Sequence, residues 1–137
     1  MKTKSSLNLH ASAVSFSKKG ILILGTSGSG KSRLALALIS SGAILVSDDQ
    51  VILTNNKNEI TLSAPKTING KIEARNIGIL QLPNTKAPLC LVVDLDKTEL
   101  NRLPTTKYTK YFGKKIKILH CKNIKGLEHS LIHFLKK

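Results

Sequence analysis

The chain has little that is aromatic and little that is acidic. Aromatic residues make up 4% of its 137 residues, and tryptophan is absent. Proteins that read nucleic acid lean on arginine and on stacking aromatics, and here Arg33, Arg75 and Arg102 are the whole arginine complement. The formal net charge of +14, from 22 Lys+Arg against 8 Asp+Glu, is therefore nearly all lysine. That composition reads as solvated faces with a general pull on anions, not as a nucleic-acid site. No apolar run approaches the roughly 20 residues of a membrane-spanning helix, so no membrane role is expected. Met1-Lys2-Thr3-Lys4-Ser5-Ser6 is basic but has no continuous apolar stretch behind it, so a signal peptide is not expected and the location expected is cytoplasmic. Cys90 and Cys121 lie in apolar runs without C-x-x-C spacing and are expected to be buried core thiols. A chain of this length predicts one domain over 1–137.

What is present is concentrated in one stretch, Gly25-Thr26-Ser27-Gly28-Ser29-Gly30-Lys31-Ser32. It follows the apolar run Ile21-Leu22-Ile23-Leu24 and opens the helix-like run Arg33-Leu34-Ala35-Leu36-Ala37-Leu38-Ile39. G-x-x-x-x-G-K-S between a strand and a helix is the phosphate-binding loop in its proper context. Its glycines let backbone N–H groups turn inward around phosphate oxygens, and the helix N-terminus adds partial positive charge behind them. Lys31 is placed to reach the β- and γ-phosphates and Ser32 to put its hydroxyl on Mg²⁺. A nucleoside triphosphate is the expected ligand; the loop does not say which reaction follows.

Leu7, Leu9, Ala11 and Ala13 alternate with polar residues, which predicts a half-buried strand running on to Phe16. A hairpin turn centred on Lys18-Lys19 or Lys19-Gly20 would set His10 opposite Ser27 or Ser29, beside the loop. The helix from Lys31 should end near Ser40-Ser41 with Gly42 left-handed. Ala43–Ser47 then reads as a buried strand, joined to the first by a crossover between parallel strands. That puts Asp48-Asp49 at a strand end near the loop, where such sheets bind ligands. A hairpin is expected between Val51–Thr54 and Glu59–Ser63, and an irregular segment over 64–70. Glu73 and Arg75 share a face if their segment is extended, and could serve metal and phosphate or simply pair with each other. Pro88–Leu95 reads as a central strand, Asn101–Pro104 as a loop, Lys115–Cys121 as a strand, and a last helix starts near Gly126. His129 and His133 stand at i, i+4 but without a third ligand, so a solvated helix face is expected there, not zinc.

Several of these stretches together resemble the catalytic domain of HPr kinase/phosphorylase, in the short form that lacks an N-terminal domain. They are His10-Ala11-Ser12-Ala13-Val14, the loop itself, Ser40 to Val51, Ile72-Glu73-Ala74-Arg75-Asn76-Ile77-Gly78-Ile79, and Arg102-Leu103-Pro104. The resemblance implies an α/β fold, a P-loop domain of the phosphoenolpyruvate-carboxykinase-like type with a mixed sheet and flanking helices. It implies a serine kinase using ATP and Mg²⁺ on an HPr-type phosphocarrier protein, in a family whose full-length members are hexamers. By position, His10 matches an active-site histidine, Lys31 the loop lysine, Ser32 and Glu73 the magnesium ligands, Asp49 the proton acceptor and Arg102 a late active-site arginine. Asp48 would be a supporting carboxylate. Arg33 stands where the family has an acidic residue, and Ala74 and Asn76 where its signature has a bulkier aliphatic residue and a glycine. Kinase activity is accordingly expected ahead of phosphorolysis. A P-loop kinase for a small molecule and a non-catalytic nucleotide-binding module are the readings that stay open beside it.

Overall fold

The computed structural model describes residues 5–136. Its strands are β1 (Ser6–Leu9), β2 (Ser12–Phe16), β3 (Lys19–Leu24), β4 (Ile44–Ser47), β5 (Val51–Asn55), β6 (Ile60–Ser63), β7 (Lys71–Ala74), β8 (Gly78–Gln81), β9 (Ala87–Asp94), β10 (Lys107–Tyr111) and β11 (Lys114–His120). Two helices, α1 (Lys31–Ser40) and α2 (Leu127–Leu135), and a short 3-10 turn over Lys66–Ile68 complete it. Nine strands form one mixed sheet in the order β1-β5-β6-β9-β3-β2-β4, with β11 also beside β9 and β10 beside β11; β7 and β8 make a separate hairpin.

At the centre lies β3, apolar from Ile21 to Leu24 because it is covered there on both faces. Ile21 and Ile23 face the core that holds Leu34, Ala35 and Leu38 of α1 and Leu127 and Leu131 of α2. Leu22 and Leu24 face a second core with Val51 and Leu53 of β5 and Ile60 and Leu62 of β6. The parallel strands β3, β9 and β11 end level, with Leu24, Asp94 and His120 in register. Their loops leave the sheet at one end. The α1 C-terminus closes as the glycine rule predicts: Gly42 has φ 113, and the Gly42 and Ala43 amides donate to Ile39 and Leu38 carbonyls.

Four expectations change. The Leu7–Phe16 stretch is two strands: β1 pairs with β5, β2 pairs with β3 and β4, and the chain breaks at His10-Ala11. The β2–β3 turn centres on Ser17 and Lys18, both left-handed (φ 50 and 67), with Phe16 opposite Lys19. Gly20 is not in the turn because it is needed elsewhere: a Cβ there would meet the Pro88 carbonyl oxygen at 2.4 Å. The strand–helix–strand unit does run parallel, but β2 lies between β3 and β4 and is antiparallel to both. Finally, Cys121 is buried but Cys90 is exposed. Gly20 pairs with Leu89 and Ile21 with Leu91, so Cys90 is the extra residue of a β-bulge. The bulge shifts the alternation: Leu89 faces the second core and Leu91 the first, leaving Cys90 to solvent.

Candidate active site

The loop between β3 and α1 is held by backbone conformation. Gly28 and Gly30 have φ 84 and 103, in the left-handed region where glycine pays no steric cost. Gly25 is needed for space, since a Cβ there would stand 2.2 Å from Ser29 Oγ. Gly30 caps α1 without a side-chain hydrogen bond, and the first turn holds no acid. The free amides and the dipole of that turn therefore face outward as an anion site. Lys31 is 7% exposed, and its ammonium donates to the Gly25 carbonyl at 2.8 Å and the Thr26 carbonyl at 3.2 Å. A positive charge thus sits against the first arm of the loop. Ser29 Oγ, inside the loop, is the one buried side-chain oxygen without a partner among the described residues. These features fit a polyphosphate.

Asp48 is the anchor of the floor. It is 6% exposed, and its Oδ1 accepts from Ser12 Oγ and Ser32 Oγ, both at 2.7 Å. Its Oδ2 lies 3.4 Å from the Glu73 amide. A buried carboxylate needs such donors, because leaving it bare costs several kcal/mol (roughly). Ser12 was no sequence candidate; its place in β2, two residues past His10, is the only sign of it in the chain.

Asp49 points elsewhere because the chain turns sharply around it. The Gln50 amide donates to the Asp48 carbonyl at 2.8 Å, across Asp49 with φ 72. A three-residue turn with a positive central φ is rare and strained. Ser47 Oγ donates to the Gln50 carbonyl and the Ala11 amide to the Asp49 carbonyl, which brace it. The second brace also brings in His10: its Nε2 lies 3.7 Å from Asp49 Oδ1, both side chains more than half exposed. The break between β1 and β2, not hairpin register, carries His10 to the site.

His10, Ser12 and Asp49 line one cleft of about 590 Å³, with Ser27, Gly28, Gly30, Lys31, Ser32, Arg33, Glu73 and Arg75. The size is that of a small-ligand site. Glu73 and Arg75 reach it from the β7–β8 hairpin, Glu73 as the third residue of β7 and Arg75 in the turn after it. Arg33 is an exposed cation in the first turn of α1, against the helix dipole. Ser32 and Glu73 line the cleft with Asp48 bonded to Ser32 behind them. Hard oxygen donors of this kind suit Mg²⁺, which takes one or two carboxylates and fills its shell with water and substrate phosphate. Such a shared site needs no cluster of three protein ligands, and none is assembled among the described residues.

Arg102 is not brought to this cleft. It lines a second groove of about 620 Å³ between the 99–107 segment, β11 and α2, with Leu119, Leu127, Leu131 and Phe134. The Lys107 ammonium on Glu99, at 2.7 Å, ties the segment there and holds the Glu99 carboxyl below its usual range. His129 and His133 are exposed on α2, as the spacing predicts.

The model of the HPr Serine kinase C-terminal domain family matches residues 2–122. The HPr kinase/phosphorylase of Mycoplasmopsis pulmonis is 35% identical over 70% of this chain, and that of Clostridium botulinum (strain Eklund 17B / Type B) 43% identical over 54%. The chain spans 34% and 24% of the length of those two relatives. The structure of the Hpr(Ser) kinase/phosphatase from Coxiella burnetii superposes with a TM-score of 0.84 at 27% identity, over 95% of this chain and 94% of that one.

Proposed function

Because the chain belongs to the HPr Serine kinase C-terminal domain family, we propose that it transfers the terminal phosphoryl group of ATP to a serine of an HPr-type phosphocarrier protein. The observation that carries the reading is the split of the neighbouring carboxylates, Asp48 bound to Ser32 on the floor and Asp49 turned into the cleft beside His10. The family match and the likeness to the Coxiella protein, over nearly the whole of both chains, support it.

In this reading the Lys31 ammonium engages the β- and γ-phosphoryl oxygens, joined by the loop amides and the first turn of α1. Ser32 and Glu73 hold Mg²⁺, which when bound neutralises charge on those oxygens. Asp49 accepts the proton of the attacking serine hydroxyl late in the transfer, which requires hydrogen-bond reach more than a raised pKa. His10 orients the Asp49 carboxylate. Arg102, in the other groove, is given no part within a single chain. Most of the rate enhancement then comes from positioning and electrostatics, as phosphoryl transfer requires.

The test is incubation with an HPr-type protein, Mg²⁺ and γ-labelled ATP. Label on serine that requires both the acceptor and Lys31 supports the reading. Equal ATP turnover without the acceptor would favour a small molecule or water as the true acceptor, and bound but intact ATP would favour a regulatory module.

A further inference from the structure

The first arm of the phosphate loop is gripped from outside by a residue with no assigned role. Asp96 Oδ2 accepts from the Thr26 amide at 2.8 Å and Asp96 Oδ1 from the Thr26 hydroxyl at 3.1 Å. Both oxygens of one carboxylate thus hold one residue, the strong charge-assisted form of the bond. Asp96 is itself fixed. Its amide donates to Asp94 Oδ1 at 2.9 Å, and the Leu95 amide extends the β3–β9 ladder by donating to the Leu24 carbonyl at 2.9 Å. The loop rests on this turn, for a Cβ on Gly25 would lie 3.3 Å from Leu95 Cβ.

One peptide unit is held at both ends. The Gly25–Thr26 plane has its carbonyl on the Lys31 ammonium at 2.8 Å and its N–H on Asp96 at 2.8 Å. We infer that Asp96 is a positioning residue that keeps this plane oriented for phosphate, through Thr26. The inference rests on the nucleotide reading, in which the Lys31 ammonium shares its three N–H donors between the loop carbonyls and a phosphate oxygen. Asp96 then holds the N–H end of the plane undivided, and a rotated plane would present a carbonyl oxygen to the phosphates. Charge attraction cannot explain a carboxylate here, since a fixed anion beside the loop repels a polyphosphate. Geometry does explain it.

The two explanations predict opposite signs for Asp96→Ala. If Asp96 were only a nearby negative charge, its removal would tighten Mg·ATP binding. The clamp instead predicts binding weaker by roughly ten-fold, the cost of losing a hydrogen bond to a charged group. Asp96→Ala should also raise KM more than it lowers kcat and be non-additive with Thr26→Val, while Asp96→Asn, whose amide can accept from the Thr26 N–H and donate to its hydroxyl oxygen, should bind more tightly than Asp96→Ala. Hydrogen exchange of the Thr26 amide, measured without nucleotide, should speed up in Asp96→Ala and leave α1 protected. Tighter or unchanged binding in Asp96→Ala, additivity with Thr26→Val, or unchanged Thr26 exchange would each overturn the inference. Wild-type protein that binds no Mg·ATP would overturn the nucleotide reading instead, and the exchange data would still decide the clamp.

Discussion

The floor and the rim of the loop cleft are built on opposite terms. On the floor Ser12, Lys31 and Asp48 are buried and hydrogen-bonded to one another or to the loop. On the rim His10, Arg33, Asp49, Glu73 and Arg75 are exposed. The floor holds the β2 start, the loop and α1 together, so in the proposed function its residues serve fold and phosphate binding at once. The rim residues could be removed with little loss of packing, and their positions are explained by chemistry. Asp48 and Asp49 are adjacent in sequence and fall on opposite sides of this division. The turn at Asp49 is what separates them, and its strain marks a site where geometry is kept at the expense of stability.

The largest effects should separate the two aspartates. In Asp48→Ala the Ser12 and Ser32 hydroxyls lose their shared acceptor, and we expect a stability loss of about 3 kcal/mol together with loss of Mg·ATP binding. Urea unfolding with and without nucleotide measures both, and an unchanged midpoint would erase the distinction between floor and rim. Asp49→Gly should move the two properties in opposite directions. Removing a left-handed non-glycine residue raises stability by about 1 kcal/mol after the entropy of glycine is counted, and serine phosphorylation falls by on the order of 10²–10⁴. A less stable Asp49→Gly would mean that the turn is not strained.

Much of this arrangement is legible in the chain. The G-x-x-x-x-G-K-S stretch is local, so its strand, its left-handed glycines and its helix follow from neighbouring residues alone. So does the α1 end at Gly42, where one residue supplies the conformation that the cap needs. The fold class holds as well, with a mixed sheet and helices in a P-loop domain. What is not legible depends on distant partners. Gly20 looks like a turn residue until Pro88 is seen packed against it, and Cys90 looks like core until the resulting bulge turns it out. β10 reads Lys-Tyr-Thr-Lys-Tyr, with no apolar alternation, and is a strand only because β11 pairs with it at the sheet edge. Ser12 and Asp96 matter through Asp48 and Thr26, 36 and 70 residues away. Arg102 shows the reverse case, a matching motif that the fold places in another groove.

Smaller effects sharpen the comparison. Ser12→Ala removes one of two hydroxyl donors from Asp48 and should cost about 1 kcal/mol, with Mg·ATP affinity reduced but measurable; a neutral outcome would make Ser32 sufficient on its own. The two thiols repeat the contrast between buried and exposed at low cost. Burial, with Asp94 nearby, pushes the Cys121 thiol up to about 11, while Cys90 is open to solvent. At pH 8 a thiol reagent should modify Cys90 quickly and Cys121 only on unfolding. Because the native thiol holds its proton more tightly than the unfolded one, its contribution is fully present below about pH 9 and is lost as pH rises towards about 11. Cys121→Ser should flatten that part of the stability profile, and an unaltered slope would assign it to other groups.

The central claim is that Asp49 acts in the transfer step and not in holding nucleotide. Single-turnover transfer from γ-labelled ATP to an HPr-type protein, compared between wild type and Asp49→Asn at saturating Mg·ATP, tests it most directly. We predict serine labelling in the wild type, at least a hundred-fold slower transfer in the variant, and equal nucleotide affinity in the two. Transfer at the wild-type rate in Asp49→Asn, or a loss accounted for wholly by weaker nucleotide binding, would contradict it.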